Sequence, residues 1–391
     1  MPVVVSMFSG AGGLDEGFRA VGFDIACCVD IEEWACDTLR TNHPNLSVMG
    51  PPKHTGNIKE ISAQEICRFA NLKKKEVDVL IGGPPCQPFS QAATQRFLKD
   101  DKRFKRLGFE DLTKGTLLHE FVRLILEFKP RVFLLENVPG LLKIDGGMQL
   151  GQCLNELREN GYYISNLEAL NAADYGVPQY RERLIIWGSK KNQHPALPVP
   201  THASFSTLFQ KEHLSVAHAL TGLPQNLQNH TPRKHNKSSI ERYRTLQFGE
   251  REKLGRVDRL DPRKPSKTVI AGGMHGGGRS HLHPFIGRTL TVRECARIQT
   301  FPDDYIFQGS IARQFTQVGN AVPPLLAEHI ARQIMKQEFE INVDEEFRHG
   351  QYLHRSTLLN ALIEQLLVES IEEKPEWIYY THSTTRSRKI H

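Results

Sequence analysis

Short apolar, β-branched runs recur through the first half of this chain, and they limit its fold more than any other feature. They lie at Val3 to Phe8, Phe23 to Val29, Val77 to Ile81, Arg131 to Leu135 and Leu184 to Trp187. Helix-like patterns, such as Ile31 to Leu39 and Leu117 to Phe128, fall between several of them. Strands alternating with helices imply an α/β fold with a parallel, doubly wound sheet. Ligands of such sheets sit beyond the carboxyl ends of the strands, so the residues that end each run are the first candidates for a site.

At 391 residues, one large domain with a smaller companion is expected. Apolar content of 39% and charged content of 24% are those of an ordinary globular protein. No apolar run approaches the roughly 20 residues that span a bilayer, and the first residues have no basic leader, so a cytoplasmic protein without a membrane partner is expected. The seven cysteines form no C-x-x-C pair, and no H-x-x-x-H occurs, so neither a disulfide framework nor a metal site is indicated. Net charge is +6, but it is unevenly spread: Lys190 to Phe285 holds 16 Lys and Arg against 6 Asp and Glu. Such a segment suits a polyanion, although a solvated basic surface would look the same.

The texture after Gly188, rich in Pro, Gly, His and basic residues, marks a second, smaller domain. The expected division is residues 1–189, a second domain over 190–285, a return over 286–339, and a C-terminal helical extension over 340–391. In the extension, Leu358, Leu359, Leu362, Ile363, Leu366 and Leu367 form an apolar stripe that either packs in the core or meets a partner.

The first run ends in F-S-G-A-G-G-L-D, residues 8–15, a glycine-rich turn opening a helix. Such a turn lets a ligand approach the backbone and offers helix N–H groups to an anion. A dinucleotide fingerprint would place a glycine where Asp15 stands, which argues against a pyrophosphate. The next run ends at Asp30, about 20 residues on, where an acid binding ribose hydroxyls belongs. A nucleoside without a pyrophosphate, such as S-adenosylmethionine, satisfies both facts, although the turn alone also reads as purely structural. The run at Val77 leads into I-G-G-P-P-C-Q-P-F-S, residues 81–90. Prolines carry a chain rigidly out of a sheet, so Cys86 stands held out rather than packed in.

These blocks continue in order with E136-N-V138, Q179-Y-R-E-R183, L290-T-V-R-E-C-A-R-I-Q299 and the stretch Gln317 to Pro324. In this series the chain resembles the C5-cytosine methyltransferases, from residue 3 to about residue 335. The resemblance implies a Rossmann-like sheet with a smaller DNA target-recognition domain over 190–285, and S-adenosylmethionine as methyl donor with no metal. It makes Cys86 the nucleophile that adds to C6 of cytosine, because C5 is too weak a nucleophile until an enamine forms. Glu136 matches the carboxyl at N3, and Arg183, with Arg181 beside it, the guanidinium at O2. For the cofactor it implies Phe8, Ser9, Gly10, Gly12, Gly13 and Leu14, then Asp30 at the ribose and Ile31 on the adenine. Asn57 and Ile58 follow, with Asn57 departing from the family's aspartate, and Pro84, Leu117, Asn320 and Ala321 complete the set.

Double-stranded DNA is the implied substrate, with the target cytosine turned out of the helix. Ser90 and Gln91 continue the cysteine block, and Lys102, Arg103 and Arg106 lie in the basic stretch that would close over the DNA. Lys267 and Thr268 lead towards base readout from the second domain. A monomeric modification enzyme, paired in function with a restriction endonuclease, is the reading these residues support. A tRNA cytosine-5 methyltransferase and a catalytically silent DNA-binding regulator are the alternatives; the basic segment favours DNA, and an intact Cys86, Glu136 and Arg183 speak against silence.

Overall fold

The structure is a computed structural model, and it describes residues 1–85, 117–191, 193–253, 257–270, 281–344 and 346–354. The chain divides into two compact units that interleave in sequence. The first takes Met1–Asn171, Glu182–Val199 and Ala327–Glu346; the second takes Ala172–Arg181, Pro200–Leu326 and the described residues from Phe347 on.

The first unit is built on one sheet of β1 (Val3–Met7), β2 (Asp24–Val29), β3 (Ser47–Met49), β4 (Val79–Gly82), β5 (Val132–Asn137), β6 (Tyr163–Ile164), β7 (Glu168–Asn171) and β8 (Glu182–Ser189). Its order is β3-β2-β1-β4-β5-β8-β6, with β7 also paired to β8. From β3 to β5 every pairing is parallel. The chain moves outward from β1 through β2 to β3, then returns to β4 on the other side of β1. That reversal makes the carboxyl ends of β1 and β4 the switch point, the natural ligand crevice of an open α/β sheet.

The far half of the sheet departs from the parallel pattern. β8 runs antiparallel to β5, β6 and β7. The consequence is chemical, because an antiparallel strand brings its first residues, not its last, to the edge where the parallel strands end.

Helices α1 (Gly13–Val21), α2 (Glu33–Asn42), α3 (Ala63–Phe69), α4 (Leu117–Phe128) and α5 (Met148–Glu159) belong to this unit. One apolar core joins α3, α4 and α5 to the sheet through residues such as Met7, Leu80, Phe121, Ile125, Phe133 and Ile186. Helix α4 also holds the loop before α3: Arg123 donates to the Ile58 and Ile61 carbonyls, both at 2.9 Å, and Glu127 accepts from the Ala63 N–H at 2.8 Å.

The second unit has little regular structure: β9 (His202–Ala203), β10 (Lys211–Glu212), α6 (Val216–Leu220), α7 (Lys237–Arg244), α8 (Val292–Ile298) and α9 (Ile311–Asn320). Without a large sheet its carbonyls need other donors, and buried arginines supply them. Arg259 donates to the carbonyls of Pro284, Tyr243, Arg244 and Leu246. Arg293 serves those of Gln228, Pro302 and Tyr305. Thr291 and Glu294 form a capping box at the start of α8, and Arg288 clamps the buried Glu294 at 2.7 and 2.8 Å. Helix α10 (Pro324–Phe339) carries the chain back towards the first unit.

Candidate active site

The turn after β1 needs its glycines for conformation. Phe8, Gly10 and Gly12 adopt φ of 53°, 53° and 76°, the left-handed region that a side chain disfavours. A Cβ on Gly10 would meet no atom within 4 Å, so the space in front of this turn is open. Asp30, at the end of β2, accepts the Gly10 N–H at 2.8 Å on one oxygen and the Glu32 N–H at 2.9 Å on the other. Burial pushes its carboxyl above the usual range although these backbone donors pull it down. Next to it, Ile31 leaves 59% of its surface in solvent.

The remaining cofactor candidates divide. Ser9 is occupied locally, its hydroxyl 3.1 Å from both the Ser6 carbonyl and the Ser6 hydroxyl. Gly13 opens α1, and Leu14 is buried behind it. The Ile58 side chain lies in the core, so only its backbone can face a ligand, and Leu117 packs against the same core. Asn57 donates to Glu60 at 2.7 Å and accepts from the Lys59 N–H at 3.3 Å. Asn320 and Ala321 end α9 in the second unit.

Across the switch point, β4 and β5 end side by side. Register pairs Gly82 with Leu135, so the Gly83–Pro84 turn lies against Glu136 and Asn137. A Cβ on Gly83 would stand 2.7 Å from Glu136 Oε2, so this position is open to a carboxylate only as glycine. Asn137 donates to the Pro84 carbonyl at 3.0 Å, tying the end of β5 to the segment that precedes Cys86. Because β8 is antiparallel to β5, Glu136 faces Ile185 and Arg183 falls at the same edge. Arg183 Nε lies 2.8 Å from Glu136 Oε1, and both side chains are 12% exposed. Burial lowers the Arg183 pKa and the Glu136 carboxylate offsets part of this.

Arg181 is placed differently. It is buried in the second unit and donates to the carbonyls of Gly319 and Ala321 at 2.8 Å and of Val269 at 3.2 Å. The structure brings Glu136 and Arg183 together and sets Arg181 to framework duty. Gln179 joins that framework, donating to Gln299 at 2.8 Å and accepting the Val269 N–H at 2.7 Å. Gln299 in turn donates to the Val318 carbonyl at 2.6 Å. The sequence alone gives these two glutamines no role; their buried amides join two separate blocks and reach the carbonyl of a third.

Cys86, Ser90, Gln91, Lys102, Arg103 and Arg106 lie outside the described residues, as does the apolar stripe of the extension. The six described cysteines are free and buried. Burial pushes the thiols of Cys27, Cys36 and Cys153 up to about 12, so these are poor nucleophiles. Lys267 pairs with Asp258 at 2.8 Å, and Thr268 donates its hydroxyl to the Tyr180 carbonyl at 2.8 Å. Among the described residues, no group of three or more His, Cys, Asp or Glu is placed to hold a metal, and no helix is long and apolar enough to cross a membrane.

A family model described as C-5 cytosine-specific DNA methylase matches residues 3–336. The chain belongs to the C-5 cytosine-specific DNA methylase family. It is 34% identical to the type II methyltransferase M1.HphI of Haemophilus parahaemolyticus, over 85% of this chain and 86% of that one. It is 36% identical to M.PspPI of a Psychrobacter species, over 85% and 79% respectively. Among solved structures, one described as a DNA modification methyltransferase encoded within an Escherichia coli prophage aligns at a TM-score of 0.69 and 27% identity. That alignment covers 86% of this chain and 99% of the other. As a member of this DNA methylase family the protein is a DNA cytosine-5 methyltransferase with a Rossmann-like fold, and the family implies S-adenosylmethionine as methyl donor.

Proposed function

We propose that this protein is the modification methyltransferase of a type II restriction system. It would act as a monomer in the cytoplasm on short sites in double-stranded DNA, with residues 190–285 reading the target. The observation that carries its chemistry is the Glu136–Arg183 pair, a carboxyl and a guanidinium 2.8 Å apart at the edge where β5 ends. N3 and O2 are adjacent atoms on one edge of cytosine, and this pair offers each of them a partner. A Glu136 carboxyl at N3 draws electron density from the ring, and the Arg183 guanidinium stabilises charge that develops at O2.

In this reading the Cys86 thiolate adds to C6, and the ring electrons move to C5, which becomes nucleophilic. S-adenosylmethionine supplies the electrophilic methyl group. Loss of the C5 proton to a base then restores the double bond and expels the Cys86 thiolate. The open turn at Gly10, the raised carboxyl of Asp30 and the exposed Ile31 fit a nucleoside: the acid suits ribose hydroxyls and the apolar side chain an adenine face. Phe8, Gly12 and Pro84 would line the same pocket.

The test is Cys86→Ser, together with a duplex carrying 5-fluorocytosine. The substitution is expected to abolish methyl transfer while S-adenosylmethionine still binds. The fluorinated duplex is expected to remain joined to the unaltered protein on a denaturing gel, because fluorine at C5 cannot leave as a proton does. Appreciable turnover by the variant, or release of the fluorinated duplex, would defeat the covalent route.

A further inference from the structure

Between two buried residues of the second unit, one aromatic ring points outward. Gln179 is 0% exposed, Tyr180 42% and Arg181 1%, the alternation of an extended segment with one covered face. This segment forms a parallel bridge at Ser266: the Tyr180 N–H donates to the Ser266 carbonyl at 2.8 Å, and the Ser266 N–H to the Pro178 carbonyl at 2.9 Å. Thr268 adds its hydroxyl to the Tyr180 carbonyl. The backbone beneath the ring is therefore fixed on both sides.

A single exposed tyrosine signifies little. What distinguishes Tyr180 is its buttress. Its ring stands edge to face with that of His213, centroids 5.9 Å apart at 80°. His213 is fixed in turn by Asp174, with Nε2 2.9 Å from Oδ1. Alongside runs Lys267, 58% exposed, whose ammonium uses one donor on Asp258 and keeps two for a phosphate. An aromatic ring held in place beside an exposed ammonium is the combination that binds a nucleotide by face and phosphate together.

We propose that Tyr180 is a nucleotide contact, packing its ring against the substrate DNA strand while Lys267 holds the adjoining phosphate, with His213 and Asp174 as positioning residues. Thr268, its hydroxyl proton already donated, fixes Tyr180 and does not contact phosphate. This deepens the DNA methyltransferase reading and rests on it.

The experiment measures methyl transfer from S-adenosylmethionine to long unmethylated DNA of mixed sequence, which contains any short target, using the full chain. Tyr180→Ala is expected to raise KM for DNA between about 5- and 100-fold, and Tyr180→Phe, which keeps the ring, to stay within roughly twofold. S-adenosylmethionine affinity, measured by calorimetry, is expected to be unchanged in both. His213→Ala, with the ring present but unsupported, is expected to raise the same KM by a smaller factor. A DNA KM in Tyr180→Ala equal to that of the unaltered protein would overturn the proposal. So would a Phe variant as impaired as the Ala variant, or a parallel loss of cofactor affinity marking general misfolding. Failure of the unaltered protein to transfer methyl at all would remove the underlying reading instead, and it would be seen before any variant is compared.

Discussion

Asp15 is 1% exposed at the start of α1, one turn from the open glycine loop. Burial pushes its carboxyl from 3.8 up to about 6, although the Ser6 hydroxyl and the Arg19 guanidinium favour the charged form. Because the folded pKa is raised, the penalty is absent below the unfolded value, grows as pH rises towards 6, and is complete above it. A shift of this size corresponds to at most about 3 kcal/mol. Asp15→Asn, which carries no charge to bury, is expected to raise unfolding stability at pH 7.5 by a margin that shrinks as pH falls to 4. Urea denaturation at the two pH values reads this directly. A gain independent of pH, or none, would mean that the folded protein tolerates the charge.

At the level of elements, the buried arginines explain why the second unit holds together with so little sheet. Arg181 bridges three carbonyls, joining Val269 to the distant segment that holds Gly319 and Ala321. A lysine brings a point charge on a flexible stem and cannot reach all of them at once. Arg181→Lys is therefore expected to lower stability by about 2–5 kcal/mol, the cost of leaving one or two buried carbonyls unpaired. Thermal unfolding followed by circular dichroism checks it, and an unchanged midpoint would show that other donors take over. The same element shows where sequence reading stops. β1, β2, β4 and β5 announce themselves because short apolar runs end near Gly, Pro or an acid, and Glu136 and Asp30 follow from those ends. The direction of β8 does not, since L-I-I-W reads alike either way along a sheet, yet that direction is what sets Arg183 beside Glu136. Arg181 and Arg183 are two residues apart and chemically identical, so only the fold separates framework from site. Gln179 and Gln299 meet 120 residues apart in a unit without periodic pattern, which leaves nothing local to signal their contact.

For the whole molecule, net charge and working charge are different quantities. Part of the basic excess in residues 190–285 is internal: Arg259 is 4% exposed and satisfies carbonyls. The cations that answer to DNA should lie with the carboxyl ends of the parallel strands, where Glu136 and Arg183 stand. Lys73, Lys74 and Lys75 provide the contrast, since they precede β4 and so belong to the opposite edge of the sheet. Each phosphate neutralised adds close to one to the slope of log affinity against log salt. Joint replacement of Lys102, Arg103 and Arg106 by Gln is expected to flatten that slope by up to about 3, whereas replacement of Lys73, Lys74 and Lys75 by Gln leaves it unchanged. Both variants remove the same number of charges, so fluorescence anisotropy on one duplex across a salt series separates location from total. Equal flattening in the two would mean that DNA responds to the protein's overall charge, and the basic stretch after Cys86 would lose its assigned contact with the phosphates.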